Sequence, residues 1–238
     1  CEKLHENNYF SSKVVRGKKN YNDMANKFIK LFEDKKNMNK YVDNIQKLKF
    51  LQDNEHYVSP NFRGYNYLIM MLTINEKPYC VAIDRKKLSY HKSQLDMKTT
   101  QVIQLNLKTS DSIFNGTIFD GKLIHTNNEY IFLIQDCWYL MGNKMTEMEM
   151  SQKMSQLDTI LKTHFKKDKG SYCANFEFKL NKLCKYDELE TLIGNLPKLP
   201  IQTNGIIFYP KFSGVNVIHI EKRTDKVEIN TQNNEVIE

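Results

Sequence analysis

The side chains best suited to chemistry are scattered along this chain. His56, His91, His125 and His219 stand at no spacing that would bring two of them onto one metal ion. The five cysteines, Cys1, Cys80, Cys137, Cys173 and Cys184, are odd in number and include no CxxC pair. A zinc site or a disulfide framework is therefore not expected, and a reducing, cytoplasmic compartment is. What remains is charge. Thirty-five Lys and Arg against 28 Asp and Glu leave a net charge of +7, which favours an anionic partner such as RNA or a nucleotide phosphate. Part of that surplus accompanies an asparagine-rich composition of the kind AT-rich coding produces, as in a large DNA virus or some protists. The basic run Arg16–Lys19 reads as a solvated arm or an RNA contact. Lys166, Lys167 and Lys169 fall at a helix end, where cations complement the dipole.

The elements that must position any site come next. Of the 238 residues, 40% are hydrophobic and 11% aromatic, enough for a packed core. No apolar run approaches the roughly 18–20 residues that a membrane span needs. Residues 1–19 read as a basic flexible arm, 20–229 as one domain and 230–238 as a loose tail, because no Pro-, Gly- or Ser-rich linker divides the chain. Asn20 or Asn22 is placed to cap a helix with Met24, Phe28, Leu31 and Phe32 on one face. Met38, Tyr41, Val42, Ile45 and Leu48 continue at helical spacing. From Asn66 the pattern turns to strands: YLIMMLTI, PYCVAID, KLSYHK, QVIQLNL, SIFNGTIFDGKLI and EYIFLIQDCWYL. Thr146 and Glu149 are spaced as a capping box before a helix whose face carries Met150, Met154, Leu157 and Leu161. YCANFEFKL reads as a strand, YDELETLIGNL as a short helix, and NGIIFYP, NVIHI and KVEI as closing strands. Helices, mostly antiparallel strands and inserted helices make an α+β domain.

Several of these stretches, in this order, resemble the nucleotidyltransferase domain of mRNA capping guanylyltransferases and ATP-dependent ligases. SPNFRGYNYLIMML is followed by YCVAIDRKKLSYHK, TIFDGKLI by YIFLIQDCWYLMG, and FEFKL by NGIIFYP, over roughly residues 57–220. The family pattern reads approximately KxDGxR, IDR, FDGEL, FDVLxxNG, DGLIF and KWK. Each motif is short and weak alone, and order and spacing make the set specific. The resemblance implies a nucleotidyltransferase-like fold with mostly antiparallel sheets and flanking helices. The chain as read ends soon after the last motif, so no OB-fold domain is expected.

The departures fall on the charged chemistry. The family's lysine nucleophile attacks an α-phosphate and must be an amine of lowered pKa. Its counterpart here is Asn61, in what reads as the loop before a strand. The acid two places on becomes Arg63, and the family arginine becomes Asn66. The metal-holding glutamate of DGEL becomes Lys122, and the aspartate of DGLIF becomes Asn204. The last two lysines fall on His219 and Glu221. The resemblance therefore implies a pocket that keeps its frame, has no catalytic residue and needs no metal or cofactor. Fixed cations replace the metal: Arg63, Arg85, Lys122 and Lys179. The cap-binding domain of snurportin has a similar history, and a viral cap-binding translation factor fits the composition. The expected ligand is capped mRNA or a guanine nucleotide, with a translation-initiation or capping-complex protein as partner and no membrane. A methylated guanine favours aromatic stacking, for which Trp138, Phe62 and Tyr209 are the candidates. Trp138 reads equally as core, whereas Phe119 and Phe208 read as core first. Two alternatives stay open. One is a pseudoenzyme subunit that supports a capping enzyme without binding nucleotide. The other is an active enzyme with its nucleophile relocated to Lys86, Lys87 or Lys122.

Overall fold

The computed structural model describes residues 12–14, 40–42, 55–88, 99–100, 102–107, 109–126, 129–165, 176–213 and 216–219. In chain order the strands are β1 (Ser12–Val14), β2 (Lys40–Val42), β3 (His56–Phe62), β4 (Tyr65–Ile74), β5 (Lys77–Asp84), β6 (Val102–Leu105), β7 (Asn115–Thr126), β8 (Glu129–Leu140) and β9 (Asn143–Lys144). Helix α1 (Met150–His164) follows, then β10 (Phe176–Leu180), β11 (Cys184–Lys185), α2 (Leu189–Asn195), β12 (Thr203–Pro210) and β13 (Val217–His219).

The strands form two sheets. The larger runs β1-β6-β5-β4-β7-β8-β10, with β9 paired to β8, and the smaller runs β11-β3-β12-β13-β2. Pairing is antiparallel except for β10 with β8 and β13 with β2. Among the described residues neither sheet closes into a barrel.

Strand β4 shows why the larger sheet needs cover on both faces. Its residues from Tyr67 to Leu72 are all buried, so the strand is apolar throughout instead of alternating with polar residues. Leu68, Met70 and Leu72 join a cluster with Val81, Ile83 and Trp138 on the inner face. Tyr67, Ile69 and Met71 join the outer cluster, where Leu157, Met154 and Phe165 of the α1 region pack. Asn75 and Glu76, at φ of 48° and 63°, turn β4 back into β5, the left-handed pair that a tight hairpin uses. The smaller sheet faces the inner side of the larger. Phe62 packs on Ile124, Ile131 and Leu133, and Met150 of α1 joins Ile207 and Tyr209.

Several strand and helix boundaries differ from the sequence reading. Lys40–Val42, within the expected second helix, is a strand beside β13. Tyr41 and Val42 satisfy helical spacing, but a short run of large residues also satisfies an edge strand, and the ladder decides. Ser12–Val14 lies within the expected arm and pairs with β6. Asn61 belongs to a strand, not to a loop. Arg85–Lys87 forms a 3-10 turn where a strand was expected to start, with the Asp84 carboxylate accepting from the Lys86 N–H at 2.8 Å. Asp111–Phe114 forms another, so the expected strand from Ser112 begins at Asn115. The capping box is not made. Glu149 is the N-cap of α1 without capping through its side chain, and that carboxylate instead accepts from Tyr57 Oη at 2.7 Å. The buried Thr146 hydroxyl has no hydrogen-bond partner. The expected helix over Met24–Phe32, the strand KVEI and the tail lie outside the described residues.

Gly121 makes the central pairing of β7 with β8 possible. A Cβ there would meet the Leu133 carbonyl oxygen at 2.1 Å, which only backbone movement could relieve. Gly121→Ala is expected to destabilise the fold by about 1–3 kcal/mol or more, the scale of overpacking. Denaturant unfolding of the two proteins checks this.

Candidate functional site

The inner space between the sheets holds the polar residues. Asn61 sits near the end of β3, beside β12, and its Nδ2 donates to the Asn204 carbonyl at 2.7 Å. Its Oδ1 accepts from Lys122 Nζ, which crosses from β7 of the opposite sheet. The same ammonium donates to the Phe62 carbonyl at 2.8 Å. Lys122 is only 7% exposed. Burial pulls its pKa down to about 8, and the Asp120 carboxylate offsets that only in part. Asn66 lies directly opposite Lys122 in the ladder. Lys179 stands level with Lys122 two strands away, since both pair with Leu133. At the usual strand spacing their backbones are about 10 Å apart. Lys179 is exposed and ion-paired to Glu177 at 3.3 Å.

Two buried aspartates lie deeper. Asp120 and Asp136 are paired residues of β7 and β8. Arg85 binds Asp120 at 2.5 Å, and Lys153 of α1 binds Asp136 at 2.6 Å. Lys153 also donates to Ser213 Oγ. Burial raises the Asp120 pKa; Arg85 opposes this, and the neighbouring Asp136 adds to it. A further chain runs from Ser59 Oγ to Asn181 Oδ1 at 2.8 Å, and from Asn181 Nδ2 to Tyr209 Oη at 3.3 Å. Burial first, then the charges of Asp120 and Asp136, push the Tyr209 hydroxyl well above its ordinary pKa.

The structure thus brings Asn61, Phe62, Asn66, Lys122 and Asn204 together and treats the other candidates differently. Arg63 is exposed at the rim, with its backbone N–H on the Gln202 carbonyl at 2.8 Å and its guanidinium on the Gln202 side chain at 3.2 Å. Arg85 is engaged by Asp120 and lies 5.7 Å from the centroid of the Trp138 ring. Trp138 itself is 3% exposed within an apolar cluster, and Tyr209 is fully buried. Neither ring offers an open face, whereas Phe62 remains half-buried at the mouth. The side chain of His219 lies outside the described residues, as does Glu221.

Sequence reasoning missed Lys153, Asp136, Ser59 and Asn181. Lys153 was legible in part. It sits three residues after Met150 and four before Leu157, on the buried face of α1, and a lysine there needs an acid partner such as the one in the apolar run of β8.

Among the described residues a two-sheet α+β domain, rich in strands and with few helices, with motif residues meeting between its layers, is consistent with a nucleotidyltransferase-like domain. The family model described as mRNA capping enzyme, catalytic domain, matches residues 22–218. The chain belongs to that family, whose members combine nucleotidyl transfer with recognition of GTP or the cap. Among curated proteins nothing matches the chain.

A divalent ion does not fit the donor set. Lys122 brings a cation into this space, and Asp120 and Asp136 already carry Arg85 and Lys153. Among the described residues no three His, Cys, Asp or Glu side chains gather as a metal site.

Two outcomes follow. Lys153→Met leaves Asp136 buried and unpaired and should cost about 3–5 kcal/mol, while adding Asp136→Asn should recover much of it. Thermal and denaturant unfolding of the single and double variants check this. The second concerns pH. Lys122 loses its proton near pH 8 instead of near its ordinary 10.5, so affinity for a phosphate anion should fall as pH rises through 8. The folded-state pKa is below the unfolded value, so the stability cost of the buried charge is present below pH 8 and lifts between 8 and 10.5. Titration of GTP at several pH values, with Lys122→Met as the reference, reads the first effect.

Proposed function

We propose that this domain binds the 5′ end of capped mRNA, or its guanine nucleotide, without transferring it. The observation that carries the reading is the Asn61–Lys122 contact. An amide stands where the family nucleophile would be, and it is held by bonds at both ends. A cation from the opposite sheet stands where a metal-holding acid would be. The pocket keeps positive charge for a polyphosphate and needs no metal to carry it. Lys122 holds phosphate, Arg63 and Lys179 extend the positive rim, and Phe62 is the ring best placed to stack on the base. Arg85 supports the site through Asp120. The setting that fits such a module is translation initiation or mRNA processing in the cytoplasm, with a viral source in keeping with the composition.

A second reading is favoured by one observation. Lys122 is a buried amine of lowered pKa beside the nucleophile position, as a relocated nucleophile would be.

Incubation with labelled GTP or ATP and Mg²⁺ separates the two readings. No covalent nucleotide adduct is expected by mass spectrometry, and an acid-labile adduct on Lys122 would establish the second reading instead. In a titration of capped against uncapped short RNA, with GTP as competitor, the capped end should bind more tightly, and chelator should leave binding unchanged.

A further inference from the structure

The ladder of β7 with β8 skips two residues of β8, Gln135 and Trp138. Gly121 pairs with Ile134 and Asp120 with Asp136, so Gln135 is the extra residue of a β-bulge. Bulges re-aim side chains, often beside functional sites. Gln135 is 7% exposed, and its amide lies beside the Tyr209 hydroxyl of the smaller sheet, whose pKa it pulls weakly downward. The side chain is therefore aimed into the space between the sheets. Its Nε2 carries two N–H groups; one leans toward the Tyr209 hydroxyl, yet neither meets an acceptor at full hydrogen-bond distance and angle, which is rare for a buried amide.

Lys122 presents a second free donor to the same space. An ammonium has three N–H groups. Two are taken by Asn61 Oδ1 and the Phe62 carbonyl, and the third meets no acceptor among the described residues. Lys122 and Gln135 are on adjacent strands, with Leu133, the ladder partner of Lys122, two residues before Gln135. The acids between them are already neutralised by Arg85 and Lys153. The unmet groups are donors alone, one of them charged. The Watson–Crick edge of guanine carries N–H donors that would require acceptors here, and in a 7-methylguanine N7 no longer accepts. An anionic oxygen requires only donors.

We infer that Gln135 is a ligand-contacting residue, its Nε2 and the third N–H of Lys122 together receiving a phosphate oxygen of the bound nucleotide. The inference rests on the guanine-nucleotide-binding reading and adds to it Gln135, which stands at the first position of the QDCWYLMG stretch, where the family pattern has Phe. Gln135→Met keeps length and removes the donor. Affinities of wild type and Gln135→Met for GTP and for 7-methyl-GTP are measured by calorimetry, with thermal unfolding of both. The expected result is ~10-fold or greater weakening for both nucleotides, on the scale of a hydrogen bond to a charged group, with melting temperature kept or raised. Combined with Lys122→Met, the loss should be smaller than the product of the single losses, because both groups serve one oxygen. A folded Gln135→Met protein that binds both nucleotides like wild type overturns the inference and leaves the proposed function standing. Wild type that binds neither nucleotide overturns the proposed function as well. Should Gln135→Met not fold, the wild-type protein still decides. Its Gln135 side-chain amide, ¹⁵N-labelled, should shift as GTP is added, and a resonance that stays still overturns the inference.

Discussion

Two aspartates facing one another in the middle of a sheet are the constraint on which this fold turns. Asp120 and Asp136 are nearly inaccessible to water, and two carboxylates buried as ladder partners need cations beside them. The cations come from different parts of the chain. Arg85 follows β5 and Lys153 belongs to α1, so neutralising the pair fixes a turn and a helix onto the same two strands. Lys153 reaches on to Ser213, beyond β12, and ties the smaller sheet in. Replacing such a set by apolar residues need not weaken a protein, but removing one member does. The arrangement therefore specifies how the layers meet more than it adds to their cohesion.

Much of this was legible in the sequence. The run EYIFLIQDCWYL coincides with β8, and the apolar spacing after Glu149 gives α1. Long elements with one strong pattern declare themselves. The elements that escaped are short edge strands such as Lys40–Val42, whose state depends on a partner far along the chain. Asn61, Lys122 and Asn204, which the structure brings into contact, could be picked out because motif order suggests their positions. Trp138 and Tyr209 could not be assigned, because an aromatic in a strand has no local signature that separates core from cleft. Gln135 and Lys153 were hidden for another reason: a bulge and a buried lysine exist only once strands and helix are assembled.

The charged contacts of the cleft have been rearranged more than erased. Arg85 and Asp120 keep the types found in the family motifs and bind each other. Asn61 and Lys122 do not keep them, yet they still meet across the two sheets. Contact across the sheets is preserved where the residue types differ.

The route of the chain between the sheets gives the site a mechanical character. β3 ends at Phe62 in one sheet and β4 begins at Tyr65 in the other, so Arg63 and Gly64 alone carry the crossing. Gly64 presses so closely on Leu123 that a Cβ would lie 2.7 Å from its carbonyl oxygen. Lys122 clasps the last two residues before that crossing. The crossing and the clasp thus occupy the same few residues, so a load that drew the two sheets apart at this end would fall first on the Lys122 contacts.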